Sequence, residues 1–360
     1  MGNKNLNSAS KAKNDEFYTQ FSDIQRELNC YYLYDENFLR GKTVLLPCDD
    51  PQWSNFTKFF AANFKLYGLK KLISTSFAAE KKKFIYKPMR NLFADEDEPQ
   101  FDDSKDFSHG RIYTLDEKSV AAVDYPLDAL HNWTYLDGDG DFRSAEVKAL
   151  RDEADVIITN PPFSMFREFL KWILDAGKQF LIIGNKNCIT YKEVFPLIMQ
   201  NKLWVGATPM TKEVYFNAPK EFIDEALANE KNRTVVLVDG KYMVRSPSIW
   251  LTNLEHLRRH EPLQLMTLED NIVASKHKEI RGIGYPKYDN YDAIEVPFVD
   301  AIPKDYNGVM GVPVTFLDKY DPNQFEIVGV ANHGKDNEYD LFAPTINDKN
   351  IFKRILIRRR

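Results

Sequence analysis

The chain has 360 residues, 43% of them apolar, and a formal net charge of −5 at pH 7. This length and composition suffice for one large domain or two unequal ones with a substantial core. No apolar run approaches the ~18 residues that a membrane span needs. The polar N-terminus carries no apolar signal region, so the sequence predicts neither membrane insertion nor secretion.

Cysteine and histidine usage predicts neither a disulfide framework nor a metal site. The three cysteines lie far apart in the chain, which is typical of a reduced, cytoplasmic protein. His256 and His260 stand four residues apart and could share a helix face. We interpret this spacing as a solvated basic helix rather than as a pair of metal ligands, and no metal is expected.

The charge is unevenly distributed along the chain. Residues 95–106 hold seven acids against one lysine, so the remainder is close to neutral. We predict that 95–110 is an acidic surface insertion. The last ten residues, "IFKRILIRRR", carry five positive charges. Total charge therefore neither favours nor excludes nucleic-acid binding, which requires an asymmetric field instead.

The first elements predict a parallel sheet. Residues 1–13 are expected to be disordered. "KTVLLP" at 42–47 is a strand, and Ser54 caps a helix with Phe56 and Tyr67 on its apolar face. After Gly68 ends this helix, "LKKLISTSF" forms a second strand. Strand, helix and strand in about 35 residues make a βαβ unit, which implies parallel pairing.

Later elements extend this sheet. "DVIIT" at 155–159 is a central strand, followed by a helix and by the strand "QFLIIG" at 179–184. "RTVVLVDG" at 233–240 and "SPSIWLTNL" at 246–254 are predicted as further strands of the same sheet. The fold class is therefore α/β, doubly wound, up to about residue 265.

The composition changes beyond residue 265. Residues 282–345 are rich in Gly, Pro, Asn, Asp and Tyr, with short apolar runs between them. We predict a large domain over 1–265 and a smaller, loop-rich domain with short strands over 266–360.

The tetrad Asn160-Pro161-Pro162-Phe163 lies where the strand 155–159 meets its helix, the end at which open α/β sheets bind ligands. The prolines restrain the backbone, so the Asn160 side-chain oxygen and the Pro161 carbonyl oxygen can converge on one point. Phe163 offers a flat apolar face beside them. Two acceptors and an aromatic face suit a planar heterocycle that carries an NH2 group. The alternative interpretation is a plain strand-to-helix turn.

"NPPF" after an apolar strand resembles the catalytic motif of S-adenosylmethionine-dependent amino methyltransferases, chiefly adenine-N6 DNA methyltransferases. The segments "NDEFYTQ", "PCDDPQWSNF", "GDGDFRS", "WLTNL", "GVMGVPVTFLDKY" and "RILIR" resemble the EcoRI-type adenine-specific DNA methyltransferase family in particular. The resemblance covers about residues 13–360, in the motif order called gamma. It implies a Rossmann-like methyltransferase sheet, S-adenosyl-L-methionine as cofactor and a C-terminal target-recognition domain.

The resemblance also implies the roles of individual residues. Asn160, Pro161, Pro162 and Phe163 would be catalytic. Asp49 or Asp50 would meet the methionine ammonium group, and Asp141 would accept from the cofactor adenine. The full set implied to bind the cofactor is Phe17, Tyr18, Thr19, Pro47, Asp49, Asp50, Asp141, Phe142 and Asn160.

Two features depart from the family pattern. The cofactor loop "PCDDPQWSNF" has no glycine, although glycines usually let the backbone approach the ligand. The strand "LISTSF" is not followed by the acid that usually holds the ribose hydroxyls. Asp49 and Asp50 could instead be helix-start acids favoured by the dipole, and "DGDG" around Asp141 could be a polar turn.

The implied substrate is double-stranded DNA, whose target adenine must leave the duplex to reach Asn160. Phe163 and Trp250 are the candidates to stack on this base, although Trp250 could equally be a core residue. Arg354, Arg358 and the two arginines after them could bind phosphates or form a solvated tail. We expect a cytoplasmic monomer in a prokaryotic cell or virus-infected host cell. A cognate restriction endonuclease would share its DNA site without binding it.

Two other functions stay open on the sequence. Asn-Pro-Pro-aromatic tetrads also serve the methylation of guanine amino groups in RNA and of glutamine side chains in proteins. The glycine-free loop would suit a catalytically silent, DNA-binding relic of a methyltransferase. Transfer of a labelled methyl group to DNA, RNA or protein distinguishes these hypotheses.

Overall fold

The computed structural model describes residues 18–78, 102, 104–121, 132–218, 220–229, 232–332 and 343–360. Three predictions fall wholly or partly elsewhere. The disordered segment 1–13 and Phe17 lie outside the described residues. So does half of the acidic insertion 95–110, namely 95–101 and residue 103.

The described residues form two compact units. One unit comprises the chain up to Asn185 together with Lys212–Leu254, and the other comprises Lys186–Thr211 and Glu255–Arg360. The chain therefore passes between the units three times. The predicted division of function at residue 265 stays a prediction, and the second unit includes a segment that precedes it by more than fifty residues.

The helices and strands of the first unit follow in chain order. The strands are β1 (Tyr18–Thr19), β2 (Thr43–Leu46), β3 (Lys71–Thr75), β4 (Arg111–Asp116), β5 (Thr134–Tyr135), β6 (Val156–Thr159), β7 (Gln179–Asn185), β9 (Val214–Asn217), β10 (Val235–Val238), β11 (Lys241–Ser246) and β12 (Ser248–Thr252). The helices are α1 (Phe21–Tyr34), α2 (Asn55–Ala62), α3 (Phe64–Tyr67), α4 (Glu117–Ala121), α5 (Ala145–Glu153), α6 (Phe166–Asp175) and α8 (Lys220–Leu227).

The main sheet of this unit confirms the predicted Rossmann-like α/β class. Its strands pair in the order β5-β4-β3-β2-β6-β7-β12. The four strands β3, β2, β6 and β7 are mutually parallel. β4, β5 and β12 add antiparallel pairs. Every residue of β2 and β6 is buried, which is why both read as unbroken apolar runs in the sequence.

The single helix predicted between Ser54 and Gly68 is divided into two helices, α2 and α3. Ser54 caps α2, since its side chain accepts from the Phe56 amide, and Gly68 closes α3 in the left-handed conformation. Asn63 separates the two helices. The predicted apolar face is nevertheless buried, and it consists of Phe56, Phe59, Phe60, Phe64 and Tyr67.

The prediction that 233–240 extends the main sheet is wrong. β10 belongs to a separate antiparallel sheet of order β1-β9-β11-β10. Asp239 and Gly240 have φ of 48° and 78°, the conformation of a two-residue hairpin turn, and Val238 pairs with Lys241 across it. This turn returns the chain directly onto β11, so the strand never reaches the main sheet. The prediction for 246–254 is confirmed, because β12 pairs with β7.

The second unit contains short elements between loops. They are β8 (Trp204–Val205), β13 (Ala293–Glu295), β14 (Val309–Pro313), β15 (Phe325–Ala331), β16 (Thr345–Ile346), β17 (Lys349–Asn350), β18 (Arg354–Arg359), α7 (Phe195–Met199) and α9 (Leu268–Ala274). A four-stranded sheet of order β13-β14-β18-β15 forms its centre. The basic C-terminus is therefore an inner strand, with Ile355, Leu356 and Ile357 buried.

Candidate active site

The tetrad and the cofactor loop follow neighbouring parallel strands. β2 pairs with β3 on one side and with β6 on the other, so the chain order reverses between β2 and β6. In open α/β sheets ligands bind beyond the carboxyl ends of the strands at such a reversal. Residues 47–50 follow β2 there, and residues 160–163 follow β6.

The tetrad is a stiff connection between strand and helix. Asn160 is 7% exposed and Pro161 is buried, while Pro162 and Phe163 are partly exposed. Pro162 has φ −60° and ψ 123°, and its carbonyl accepts from the Met165 amide at 3.0 Å. A short 3-10 helix then leads into α6. Phe163 is therefore partly accessible, while Asn160 three positions earlier is buried.

A buried carboxylate connects the cofactor loop to the tetrad. Asp49 is 5% exposed, and its Oδ2 accepts from the Thr159 hydroxyl at 2.6 Å. Its Oδ1 accepts from the Ser54 hydroxyl at 2.6 Å, and Ser54 in turn caps α2. One side chain thus fixes the loop after β2, the start of α2 and the residue before Asn160.

Hydroxyl groups replace glycine in shaping this loop. The Ser74 hydroxyl donates to the Asp49 carbonyl at 2.5 Å, and the Thr75 hydroxyl donates to the Pro47 carbonyl at 3.1 Å. Both side chains are fully buried at the end of β3. They hold the loop of the neighbouring strand through its Pro47 and Asp49 carbonyls.

Asp50 is the more accessible of the two loop acids. Its Oδ1 accepts from the Gln52 amide at 2.9 Å, and the residue is partly exposed. Both oxygens of Asp49 already accept from hydroxyl groups. Asp50 is therefore the better placed of the pair to meet a cationic group.

The N-terminal cofactor segment begins the described chain. β1 pairs with β9, and the Thr19 carbonyl accepts from the Asn55 side chain at 2.8 Å, which attaches this segment to the start of α2. Thr19 is 3% exposed, and its hydroxyl has no hydrogen-bond partner within the described part of the chain. Phe17 and the side chain of Tyr18 are not described.

The segment Gly138–Ser144 packs against the end of β3. The Ala78 amide donates to the Asp139 carbonyl at 2.7 Å, and the Gly110 amide donates to the Gly138 carbonyl at 2.9 Å. Gly140 has φ +77°, and a Cβ atom there would overlap the Ser76 carbonyl oxygen. Three backbone segments therefore meet closely at this edge of the sheet.

Asp141 and Phe142 are held by neighbours within the protein. The Asp141 carboxylate accepts from Arg143 Nε at 2.8 Å and from Arg143 Nη2 at 2.5 Å, and these bonds lower the pKa of the carboxyl group. Phe142 is buried against Phe169 and Trp172 of α6. An adenine amino group at Asp141 would share the carboxylate with Arg143.

Trp250 occupies a core position. It is 2% exposed on β12, and its ring meets the Phe56 ring edge to face at a centroid distance of 5.8 Å. Its predicted contact with a flipped base would require this packing to open, because the ring has almost no accessible surface.

The two C-terminal arginines of the sequence prediction differ in exposure. Arg354 lies in a buried ion pair with Glu295, in which Nη2 and Oε1 are 2.6 Å apart and Nε contacts both oxygens. Arg358 is exposed and lies 3.7 Å from Glu326. Of the two, Arg358 has the side chain that can reach a phosphate without breaking a buried contact.

The histidine pair does not form a solvated helix. His256 is 3% exposed, its Nε2 lies 3.1 Å from the Val205 carbonyl oxygen, and burial lowers its pKa to about 4. Arg259 is also buried and stacks over the Trp204 ring at 3.6 Å. The described residues contain no group of three or more His, Cys, Asp or Glu side chains able to hold a metal. None of their helices is long and apolar enough to cross a membrane.

Comparison with known proteins identifies the family. The family model for the adenine-specific methyltransferase EcoRI matches residues 5–360. The chain belongs to this family. It is therefore an adenine-specific DNA methyltransferase that uses S-adenosylmethionine as its methyl donor.

Three similar proteins support the assignment over nearly the whole chain. The Type II methyltransferase M.EcoRI of Escherichia coli is 41% identical over 99% of this chain and 97% of its own length. M.MpnI of Mycoplasma pneumoniae is 35% identical over 90% of this chain and 84% of its own length. M.MgeORF184P of Mycoplasma genitalium is 33% identical over 90% of this chain and 85% of its own length. No solved structure gives a significant match.

The residues at the switch point fit S-adenosylmethionine. The Thr19 hydroxyl is a buried donor that lacks a partner among the described residues, which suits a carboxylate group. Asp50 offers a partly exposed carboxylate for an ammonium group. Both residues are attached to the start of α2. The Thr19 carbonyl accepts from the Asn55 side chain, and the Asp50 carbonyl accepts from the Ser54 amide at 2.9 Å.

Sequence reasoning missed the role of Thr159. Its hydroxyl connects to Asp49 across 110 positions of sequence, and no local pattern indicates such a pair. A weak signal exists, because the other residues of β6 are Val or Ile and Thr159 is the only one with a hydroxyl group. A hydroxyl residue at the end of β6 and an acid three residues beyond the end of β2, its parallel neighbour, would have suggested the contact.

Proposed function

We propose that Asn160 and the Pro161 carbonyl hold the N6 amino group of a target adenine. The support is the position of this tetrad at the switch point, directly beside the loop after β2. The Asp49–Thr159 hydrogen bond fixes the distance between the two segments. In this proposal Pro162 keeps the turn rigid and Phe163 stacks on the base.

The proposed chemistry needs acceptors more than a base. S-adenosylmethionine supplies an electrophilic methyl group. Asn160 and Pro161 accept both amino hydrogens and stabilise the positive charge that develops on N6 in the transition state. An alkylated exocyclic amine then loses its proton readily to water. The chain therefore requires no strong base beside Asn160.

The proposed cofactor site is built from four segments. Thr19 and Asp50 bind the polar end of the methionine, and Asp49 holds the loop that carries Asp50 and Pro47. Asp141 accepts from the cofactor adenine. The remaining residues proposed to line the site are Phe17, Tyr18, Phe142 and Asn160.

The proposed substrate is a specific sequence in duplex DNA, from which the adenine is flipped into the site. Phe163 stacks on it, and Trp250 reaches it only if the packing of Trp250 on Phe56 opens. Arg358 contacts phosphate, and Arg354 supports the strand that carries it. We propose that the chain acts as a monomer in the cytoplasm, with a restriction endonuclease specific for the same site as its counterpart. Residues 266–360 supply the recognition surface.

Sequencing with detection of modified adenines tests this function. Genomic DNA from cells that express the chain is expected to carry N6-methyladenine at one short sequence. Cells expressing Asn160→Ala should lack the mark, while the purified variant keeps its affinity for S-adenosylmethionine within a few-fold. Labelled-methyl transfer to RNA or protein but not to DNA would contradict the proposal, as would near-normal turnover by Asn160→Ala.

A further inference from the structure

The loop after α9 presents one apolar side chain to solvent. Ile283 is 73% exposed and lies between two glycines. Gly282 and Gly284 have φ of +75° and +89°, a conformation that side chains other than glycine rarely adopt. The pair of glycines therefore turns the chain sharply on both sides of Ile283 and leaves its side chain projecting.

Hydrogen bonds fix this projection. The Ile283 and Gly284 amides both donate to the Ile280 carbonyl, at 3.0 and 2.9 Å, and Ile280 is 1% exposed. The Gly282 amide donates to the Ile272 carbonyl of α9 at 2.8 Å. The exposure of Ile283 is thus a property of a well-bonded turn.

The start of the loop is equally well held. The His277 ring stacks on Phe298 at a centroid distance of 3.7 Å, and its Nε2 lies 2.8 Å from Asp300. Further along, the Tyr285 hydroxyl donates to the Ala301 carbonyl at 2.6 Å. Both contacts attach the loop to the segment 298–301.

Cations flank the exposed isoleucine in the sequence. Residues 276–287 carry four Lys or Arg side chains and a single acid, Glu279. Lys276 is paired with Asp300 at 2.6 Å. Lys278, Arg281 and Lys287 are exposed and form no ion pair with any residue that the structure describes. An exposed apolar side chain that is flanked in sequence by unpaired cations suits a polyanion such as a nucleic acid.

We propose that this loop, residues 275–287, contacts the duplex, with Ile283 as a wedge between base pairs. Lys278, Arg281 and Lys287 lie on the phosphates in this arrangement. Proteins that kink or unstack DNA insert isolated Ile, Leu, Met or Phe side chains in this way. The inference rests on the proposed function, because removing an adenine from the stack costs a few kcal/mol that such a wedge offsets.

Ile283→Ser tests the wedge. The probe is a duplex containing the sequence mapped by adenine sequencing, with 2-aminopurine in place of the target adenine. The variant should bind about tenfold more weakly and give a smaller rise in fluorescence, since unstacking is impaired. Leu33→Ser changes an aliphatic residue of α1 that is 71% exposed and should match the wild type. Equal binding and fluorescence in Ile283→Ser and wild type would overturn the proposal.

A second measurement distinguishes the contribution of the cations to DNA binding from that of Ile283. On sheared genomic DNA, Lys278→Ala and Arg281→Ala should each reduce the slope of log affinity against log salt by about 0.9. Ile283→Ser should leave that slope unchanged. Unchanged slopes in both alanine variants would refute the phosphate contacts. A loss of self-association in Ile283→Ser without any effect on DNA would make the loop a contact between chains and would also refute the proposal.

Different results would contradict the proposed function and the proposed role of the loop. If the wild-type chain leaves adenine in DNA unmethylated, the proposed function is wrong. If the wild type methylates adenine while the loop variants bind, unstack and respond to salt as it does, only the role of the loop is wrong. Far-ultraviolet circular dichroism of each variant checks that its fold is retained.

Discussion

The Asp49 side chain connects several segments of the candidate site. It receives hydroxyl donors from Thr159 and Ser54 and lies in a loop whose own carbonyl accepts from Ser74. A buried carboxylate is costly unless its oxygens are hydrogen-bonded, so these donors are needed for the loop to adopt this conformation. The two donors to the carboxylate are the last residue of β6 and the residue that caps α2, so Asp49 links the cofactor loop to the tetrad.

Thr159→Val should impair both stability and catalysis. Valine has nearly the same shape, but it removes the hydroxyl that donates to Asp49 Oδ2, at a cost of about 1–3 kcal/mol in the free energy of unfolding. We expect kcat to fall more than cofactor affinity, because the change lies next to Asn160. Thr159→Ser retains the hydroxyl group and should restore most of both. Urea unfolding and labelled-methyl transfer measure the effects, and equal activity in the Val and Ser variants would contradict the role.

His256 makes the stability of the second unit sensitive to acid. Burial, reinforced by the positive charges of Arg259, His260 and Arg258, lowers its folded-state pKa to about 4, against 6.5 in an unfolded chain. Between these values the unfolded state binds more protons. The histidine's contribution is therefore complete above pH 6.5 and is lost as the pH falls toward 4, by up to about 3 kcal/mol.

The protonation of Asp318 has the opposite effect, since it increases the stability of the folded state as the pH falls. Burial raises the pKa of Asp318 to about 6, so the cost of burying its charge disappears as the pH falls.

His256→Gln, which keeps a donor for the Val205 carbonyl, should reverse or flatten the acid dependence of the urea midpoint between pH 6.5 and 4. Parallel pH profiles for wild type and variant would show that His256 does not control this dependence.

At the scale of elements, the junction between β3 and the segment 138–144 depends on a backbone contact. Gly140→Ala adds a methyl group that overlaps the Ser76 carbonyl oxygen and places alanine at φ +77°. Gly240→Ala is the matched control, since its φ is +78° and nothing lies within 4 Å of the added atom. The control should lose about 1–2 kcal/mol from conformation alone. Gly140→Ala should lose clearly more and bind S-adenosylmethionine more weakly, as measured by urea unfolding and calorimetry; equal losses would refute the importance of the contact.

The elements that the sequence predicts well are those defined by local pattern. The apolar runs of β2, β3, β6 and β7 follow from burial on both sides of a parallel sheet. The apolar face of α6 follows from burial of one side of a helix. The tetrad was predicted at a strand end because its prolines interrupt such a run. These inferences need only neighbouring residues.

The missed features depend on partners distant in sequence. Arg354 reads as a free cation in "IFKRILIRRR", but Glu295, 59 positions earlier, holds it in a buried pair. Thr159 reads as the last residue of an apolar strand, and its bond to Asp49 becomes visible only when β2 and β6 are side by side. The Asp-Gly turn at 239–240 was a local signal, and weighting it more strongly would have predicted the β10–β11 hairpin.

At the scale of the whole molecule, the second unit is assembled from two separate stretches of chain. Lys186–Thr211 contributes α7, which packs on β15, and the Met210 amide, which donates to both Asp318 oxygens at 3.0 Å. Asn201 accepts from the buried Arg259. A region that begins at residue 266 therefore lacks part of the unit's core and the Met210 donor of Asp318.

A fragment of residues 266–360 should consequently fail to fold alone. Without 186–211 and 255–265 it exposes the apolar surface of β15, and the Asp318 carboxylate loses its Met210 donor. We expect no cooperative urea transition by circular dichroism for this fragment. A fragment of 255–360 mixed with a peptide of 186–211 should recover one, because the two together contain the whole unit. A cooperative transition in 266–360 alone would show that the second unit has an independent core, and it would place the functional boundary at 265 as the sequence predicts.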